Sequence, residues 1–185
     1  MEQFLKVDGI IAAQTHKIEN VFKPILNEFD LIVEIGFDRG AFSLWLYKNK
    51  NEDAKLVSYD ISFNGKEVEC DKIDFRQGDC FDMTIVNEIT ELINHSKKAL
   101  ILCDGGAKER EFALYSKILR SGDVIMLHDY AHDHNDYVKI CTDLGWNTAA
   151  ESNFENIQVA IKTNNLVPYN YDAFKAVLWG SFIKQ

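Results

Sequence analysis

Acidic side chains recur along the chain where short apolar stretches end. The five acids are Glu34, Asp60, Asp79, Asp104 and Asp129. They lie roughly 20 to 25 residues apart, close to the length of one strand, one helix and their connecting loops. Ligands of open parallel sheets bind in the crevice outside the carboxyl ends of the strands. All five carboxylates are therefore expected to face one crevice, where their charge favours a cationic cofactor or a metal ion.

A glycine turn follows the first of these stretches. The residues from Leu31 onward form an apolar run that continues into Glu34-x-Gly36-x-x-x-Gly40, and a helix is expected to begin near Ala41. Glycine lets the backbone turn sharply and lets a ligand approach closely. Asp60 follows Gly40 by about 20 residues, the spacing of a ribose-binding carboxylate in a nucleotide-binding unit. The pattern predicts a site for a nucleoside cofactor.

Dinucleotide-binding proteins share this strand, turn and helix, but their fingerprint is Gly-x-Gly-x-x-Gly. Here Glu34 occupies the first position of that fingerprint. Its negative charge would lie beside the pyrophosphate of the dinucleotide, which is unfavourable. An acidic crevice instead favours a cofactor that has no phosphate and carries positive charge.

These residues resemble the motifs of the class I S-adenosylmethionine-dependent methyltransferases. The resemblance covers roughly residues 10 to 162 and is carried by Glu34-Ile35-Gly36-Phe37-Asp38-Arg39-Gly40, Tyr59-Asp60, Gln77-Gly78-Asp79, Cys103-Asp104-Gly105-Gly106 and Leu127-His128-Asp129-Tyr130. It is strongest for the small metal-dependent O-methyltransferases, including the group labelled cephalosporin hydroxylase-like. The resemblance implies an α/β fold, a Rossmann-like three-layer α/β/α sandwich. Its mostly parallel seven-stranded sheet would end in an antiparallel C-terminal hairpin.

The resemblance also implies how S-adenosylmethionine would be bound. Glu34 would contact its amino-acid portion, Asp60 would accept both ribose hydroxyls, and Asp79 would accept the adenine amino proton. Phe63 or Phe81 could stack on the base, although core packing is the alternative for each ring. Glu34 could instead be a strand-terminal surface acid. The full predicted cofactor-binding set is Glu34, Gly36, Phe37, Gly40, Asp60, Ile61, Asp79, Cys80 and Asp104.

A metal ion is predicted at Asp104, His128 and Asp129. Two carboxylates at the ends of nearby strands repel one another unless a cation lies between them, and Mg²⁺ accepts such oxygen ligands. The resembling enzymes have an acidic pair after strand 5, whereas His128 replaces its first member here. An imidazole favours a softer ion such as Mn²⁺ or Fe²⁺. The alternative is that Asp104 caps the next helix and His128 is a buried, hydrogen-bonded imidazole.

Several groups compete to take a proton from the methyl acceptor, and the predicted catalytic residues are Asp104, Lys108 and His128. Lys108 could be a general base if its pKa is lowered, but surrounding acids tend to raise the pKa of a lysine. His128, His132 and His134 compete with it because imidazole titrates near neutrality.

Hydrophobic spacing predicts the elements that hold these residues. A helical segment is expected over residues 1–29, and strands and helices then alternate as in a parallel sheet. Residues 146–150 and 157–162 are predicted to form the terminal hairpin, and residues 163–185 to contain an amphipathic helix over 170–182. The other predicted helices are 41–48, 82–94, 108–119 and 136–144, and the other strands are 31–35, 55–60, 73–77, 99–103 and 124–127.

Composition restricts the class of protein. The chain has 185 residues, 46% of them hydrophobic, with two prolines and four well-separated cysteines. We therefore expect a single methyltransferase domain over residues 1–185 with free thiols. The net charge of −9 argues against nucleic-acid binding and favours a small-molecule substrate. With no signal-peptide or membrane-span pattern, a soluble, cytoplasmic protein with no membrane partner is expected, and a homo-oligomer stays open.

Three functions remain possible from the sequence. The leading one is S-adenosylmethionine-dependent O-methylation of a small hydroxylated molecule, a sugar or a natural-product diol, with help from a divalent metal such as Mg²⁺ or Mn²⁺. The second is a metal-independent methyltransferase with His128 or Lys108 as base. The third is a protein that binds S-adenosylmethionine without catalysis.

Overall fold

The structure is a computed structural model that describes residues 3–146 and 150–185. Eleven strands and seven α-helices are found in these residues. The strands are β1 Phe4–Val7, β2 Ile10–Thr15, β3 Leu31–Ile35, β4 Lys55–Asp60, β5 Asp74–Gln77, β6 Ala99–Cys103, β7 Val124–His128, β8 Tyr130–Ala131, β9 Ser152–Asn153, β10 Leu166–Pro168 and β11 Trp179–Lys184. The helices are α1 Glu19–Leu26, α2 Ala41–Asn49, α3 Met83–His95, α4 Lys108–Tyr115, α5 His134–Leu144, α6 Phe154–Thr163 and α7 Tyr171–Lys175.

Seven of the strands form one central sheet in the order β10-β11-β7-β6-β3-β4-β5. The strands from β7 to β5 are parallel, whereas β11 is antiparallel to both β7 and β10. This arrangement confirms the mostly parallel seven-stranded sheet with an antiparallel C-terminal part. The carboxyl ends of β3, β4 and β6 meet at one edge, and β7 ends beside them.

Apolar side chains cover both faces of the sheet. In β3, Ile32 belongs to a core shared with α1 and α2, whereas Val33 packs on the other face with α3 and α4. All five residues of β3 are buried, as expected for a parallel strand with helices on both sides. The result is the predicted α/β/α sandwich, which holds the strand ends rigidly against one another.

The prediction of an N-terminal helical segment is wrong for its first half. Residues 4–15 form an antiparallel hairpin of β1 and β2. The helical part begins with a 3-10 turn at His16–Ile18 and continues as α1. The turn contains Asp8 and Gly9, both with positive φ, which is the Asp-Gly signature of a tight β-hairpin. Alternating burial along β1 also fits a strand with one face on the core. The hairpin packs against α2 and brings β2 to the carboxyl edge of the sheet.

The predicted C-terminal hairpin has the right topology but the wrong residues. Residues 157–162 lie in α6, not in a strand, because Asn153 caps the helix by accepting a hydrogen bond from the Asn156 amide. Residues 147–149 of the other predicted strand lie outside the described residues. The hairpin is formed instead by β10 and β11.

The predicted C-terminal helix is also wrong. The helix over 170–182 is reduced to α7, and the chain then enters β11. Trp179 and Phe182 are buried between the layers of the sandwich. Their burial in a strand flanked on both sides overrides the helical spacing of the apolar residues.

The remaining predicted strands and helices are confirmed within a few residues at their ends. Asp82, for example, caps α3 by accepting from the Thr84 amide at 2.7 Å. Among the described residues, none of the helices combines the length and the apolar character needed to cross a bilayer.

Candidate active site

Gly36 is the contact point between the ends of β3 and β6. Its φ is +85°, and a Cβ built on it would lie 2.6 Å from the Asp104 carbonyl carbon and 2.6 Å from Gly105 Cα. Only glycine tolerates both the positive φ and this approach. Gly36 lines two cavities. A ligand that crosses this glycine could occupy both.

The larger cavity has a volume of about 290 Å³ and mostly apolar walls. It brings together five of the predicted cofactor-binding residues, which are Gly36, Asp60, Ile61, Asp79 and Cys80. Phe81 also lines it, with the Arg110 guanidinium 4.4 Å from the ring centroid. Phe63 instead packs against Phe37, with ring centroids 5.6 Å apart. Of the two candidate rings, Phe81 lines this cavity and Phe63 does not.

Asp60 is already engaged by the glycine turn. Its Oδ2 accepts from the amides of Phe37 and Asp38 at 3.1 and 3.2 Å, and its Oδ1 accepts from the Ser62 amide at 3.2 Å. A carboxylate offers about four acceptor sites. One acceptor site is thus left, whereas the predicted contact with both ribose hydroxyls would need two. Gly40 lines neither cavity; it begins α2 with a φ of +84°.

The smaller cavity, of about 160 Å³, gathers the polar groups. It contains all the predicted catalytic and metal-binding residues together with the two remaining cofactor candidates near the turn. They are Asp104, Lys108, His128, Asp129, Glu34 and Phe37. The opposite wall consists of four residues of β2, Ile11 to Gln14. That wall was missed because β2 was predicted to be helical, although the Asp-Gly turn before it was a usable signal.

Asp104, His128 and Asp129 form one compact cluster. His128 Nδ1 lies 2.9 Å from Asp104 Oδ1 and 3.6 Å from Asp129 Oδ2. One potential ligand atom from each residue lies within 4.8 Å of the others. Two carboxylates and an imidazole at this spacing suit a divalent first-row metal.

The alternative for this cluster was that Asp104 caps the next helix and that His128 is a buried, hydrogen-bonded imidazole. The structure contradicts the first part and confirms the second. Asp104 does not cap α4, because the Glu111 carboxylate accepts from the Gly105 and Ala107 amides at 3.2 and 3.1 Å. His128 is indeed a buried, hydrogen-bonded imidazole, with its ring centroid 4.8 Å from that of Trp179. Burial by itself lowers the pKa of His128, but the neighbouring Asp104 carboxylate outweighs burial and raises that pKa above its ordinary value.

Lys108 is held as a cation. It is 8% exposed, and its Nζ lies 3.2 Å from Asp129 Oδ2 and 2.6 Å from Glu151 Oε2. Burial lowers the pKa of Lys108, but the bond to Glu151 and the charges of Asp104 and Asp129 raise it above the usual value. A lysine with a raised pKa is a poor general base at neutral pH. Glu151, far along the chain, was not a predicted site residue.

Glu34 is fully buried beneath the glycine turn. Its Oε2 accepts from the hydroxyls of Ser43 and Ser58 at 2.5 and 2.6 Å. Burial raises the pKa of Glu34 to about 8, even though these two hydrogen bonds act in the opposite direction. Its Oε1 is buried without a partner among the described residues. Glu34 is therefore a largely protonated carboxyl beside the cavity, not a surface acid.

Gln14 of β2 is a polar residue of the site that the sequence did not indicate. Its Nε2 donates to Asp104 Oδ2 at 2.5 Å, across 90 residues of chain. His132 and His134, in contrast, are exposed and line neither of the two cavities. His132 Nδ1 lies 3.0 Å from the Tyr171 hydroxyl. They are thus separated from the cluster around Asp104.

Solved structures share this fold at low sequence identity. The CmcI apo-structure matches with a TM-score of 0.69 and 14% identity, covering 97% of this chain and 76% of that one. The structure of CmcI with Mg and S-adenosylmethionine matches with a TM-score of 0.65 and 15% identity, covering 98% of this chain and 76% of that one. A third match is MycE from the mycinamycin biosynthetic pathway, in complex with Mg, S-adenosylhomocysteine and mycinamycin VI. Its TM-score is 0.55 and its identity 17%, and the match covers 92% of this chain and 49% of that one.

Sequence comparison identifies the family. A comparison with curated protein sequences gave no significant match. The family model described as FtsJ-like methyltransferase matches residues 12–142, a span that runs from β2 to α5 and contains the glycine turn and the cluster around Asp104. The chain belongs to the FtsJ-like methyltransferase family.

Proposed function

We propose that the protein methylates a hydroxyl group of a small molecule and that a divalent cation at Asp104, His128 and Asp129 assists the reaction. The observation that carries this proposal is the position of the cluster. It lines the smaller cavity, which shares Gly36 with the larger, mostly apolar cavity. The methyl donor and the cluster would therefore be adjacent.

The two cavities fit the two ends of S-adenosylmethionine. Asp60, Asp79 and Phe81 line the larger cavity and suit the adenosine. Partnerless acceptor or carboxyl atoms of Gln14 and Glu34 are buried at the smaller cavity, where the amino-acid end would lie. Bound cofactor supplies an electrophilic methyl group on a positive sulfonium. The acids of the smaller cavity would stabilise that positive charge.

The cluster around Asp104 also suits a cation. Its two carboxylates and one imidazole offer oxygen and nitrogen ligands within 4.8 Å of one another, a set that Mn²⁺ or Mg²⁺ accepts. A bound cation would polarise the acceptor hydroxyl and lower its pKa. MycE and CmcI, with the same fold, bind Mg by their descriptions, which supports the proposal.

The chain's own residues would orient the acceptor and receive its proton. The ammonium of Lys108 would donate to the acceptor oxygen as negative charge develops there. Transfer breaks the bond from sulfur to methyl carbon and forms the bond from oxygen to that carbon, and the hydroxyl proton must leave. With a cation bound, a carboxylate oxygen of Asp104 or Asp129 that is not a ligand could receive this proton. Without a cation, His128 beside them could receive it.

The acceptor is proposed to be a small hydroxylated molecule, a sugar or a natural-product diol. The smaller cavity of about 160 Å³ would also hold the amino-acid end of the cofactor, which leaves room beside the cluster for a small acceptor only. The chain has a net charge of −9. A phosphate backbone would be repelled by that charge. Two adjacent hydroxyls would suit the pair of Lys108 and a cation, because both can bind oxygen.

The test is transfer of labelled methyl groups to a panel of sugars and catechol-type diols, with RNA as a comparison acceptor. The enzyme is first dialysed against a chelator and then assayed with and without added Mg²⁺ or Mn²⁺. We expect labelling of a diol that depends on metal and is lost in Asp104→Asn, whereas exposed Asp53→Ala retains it. Exclusive labelling of RNA would contradict the proposal, and so would an absence of labelling from every acceptor despite cofactor binding.

A metal-independent methyltransferase is the second candidate, and the ion pair between Lys108 and Asp129 favours it. At 3.2 Å, Lys108 already supplies positive charge to the acidic cluster. In this case the chelator would leave diol methylation unchanged, and Lys108→Met would abolish it. Metal rescue after chelation would exclude this second candidate.

A further inference from the structure

We propose that Gln14 binds the amino-acid end of S-adenosylmethionine, with its Oε1 accepting a hydrogen bond from the cofactor's α-ammonium group. This inference rests on the proposed placement of the cofactor across Gly36. It gives the N-terminal hairpin, which precedes the nucleotide-binding strands, a direct part in cofactor recognition.

The orientation of the Gln14 amide follows from its partner. The Nε2 of Gln14 donates to Asp104 Oδ2 at 2.5 Å, so the Oε1 of the same amide faces away from Asp104. Gln14 is 3% exposed, and its Oε1 is buried without a partner among the residues that the structure describes. A buried carbonyl oxygen without a donor is destabilising. A ligand in the cavity that Gln14 lines can supply the donor.

The contacts of Asp104 separate Gln14 from the proposed metal ligands. Gln14 donates to Asp104 Oδ2, whereas His128 lies against Oδ1 of the same carboxylate. Gln14 is therefore on the side of Asp104 away from His128. This favours a contact with the cofactor over a place among the metal ligands.

The charges around Gln14 select a cationic donor. The same cavity is lined by the carboxylates of Asp38, Asp104 and Asp129 and by the cations Arg39 and Lys108, of which Lys108 is already paired with Asp129 and with Glu151. An ammonium group is attracted by these acids and carries three donors, while its neighbouring carboxylate could meet Arg39. A neutral hydroxyl donor would gain less from the negative charge of these acids. The α-amino group of an amino acid therefore fits the Oε1 of Gln14 better than a neutral group does.

The test compares two probes by calorimetry. S-adenosylhomocysteine has the amino-acid end, and 5′-methylthioadenosine lacks it. Gln14→Met keeps the volume of the side chain and removes its carbonyl oxygen, and Gln158→Met makes the same change at an exposed position of α6. We expect Gln14→Met to weaken S-adenosylhomocysteine about 10- to 100-fold, the effect of one hydrogen bond to a charged group. Binding of methylthioadenosine should stay within about twofold, and Gln158→Met should bind both probes normally.

A second comparison separates direct contact from an effect through Asp104. In an Asp104→Asn background, Gln14→Met should still weaken S-adenosylhomocysteine, because the contact with the ammonium group is its own. No further loss in that background would overturn the proposal and make Gln14 a residue that only positions Asp104. Equal losses for both probes, or unchanged affinity for both, would also overturn it. If the wild-type protein bound neither probe, the result would contradict the proposed cofactor site itself.

Discussion

At the scale of single residues, the site depends on buried polar groups that have few other hydrogen-bond partners. Glu34 shares its Oε2 between two serine hydroxyls, and Asp104 is shared by Gln14 and His128. Breaking one of these buried hydrogen bonds would leave a further polar atom without a partner, which is costly. The cavity beside them is thereby preorganised for a charged ligand.

Glu34 should make stability fall as pH rises. Burial raises its pKa to about 8 in the folded chain, against 4.5 as its ordinary value. Between these values the folded state holds a proton that the unfolded state has lost, so the free energy of unfolding decreases with pH. The contribution is complete below about pH 4.5 and is lost as pH passes about 8, with a slope near 1.4 kcal/mol per pH unit.

Urea unfolding of Glu34→Gln and wild type at several pH values measures this contribution. The difference between the two stabilities should change steadily across the window, because glutamine does not titrate. Exposed Glu52→Gln serves as the matched control and should run parallel to wild type. Parallel curves for Glu34→Gln as well would show that Glu34 is ionised in the folded protein.

At the scale of elements, the parallel strands and their helices were predictable because each carries its own signal. β6 is a continuous apolar run, and α3 has a cap at Asp82 and a clear helical spacing. β11 carries no comparable signal in its own sequence. Its burial comes from β7 and β10 on either side, and a strand of this kind is specified by distant partners.

Packing across β11 leads to a prediction about stability. A Cβ at Gly180 would lie 2.7 Å from Leu127 Cδ2 and 2.8 Å from the Tyr130 ring. Gly180→Ala should therefore destabilise the protein by about 1–3 kcal/mol through overpacking. It should also disturb Asp129, which directly precedes Tyr130.

The matched control is Gly106→Ala, whose Cβ would have no described atom within 4 Å. Denaturant unfolding of the two variants measures the difference. Equal stability of Gly180→Ala and Gly106→Ala would mean that Tyr130 and Leu127 move aside without cost.

At the scale of the whole molecule, the fold and the broad activity were predictable, whereas the contacts of the site were not. The glycine turn and the acids at the strand ends lie in short local motifs. The pairs Gln14–Asp104 and Lys108–Glu151 join residues 90 and 43 positions apart. No local pattern encodes such pairs. Lys108 is an example. It was predicted as a general base, but its hydrogen bond to Glu151 raises its pKa and keeps it a cation.

The central claim is that one ligand crosses Gly36 between two cavities and that a cation lies beside it at Asp104. A crystal structure with S-adenosylhomocysteine and Mn²⁺ tests it most directly. We predict adenosine beside Asp60 and Phe81, the amino-acid end beside Gln14, and an anomalous manganese peak in contact with Asp104 and Asp129. Cofactor bound elsewhere, or manganese absent from the cluster at saturating concentration, would contradict the account.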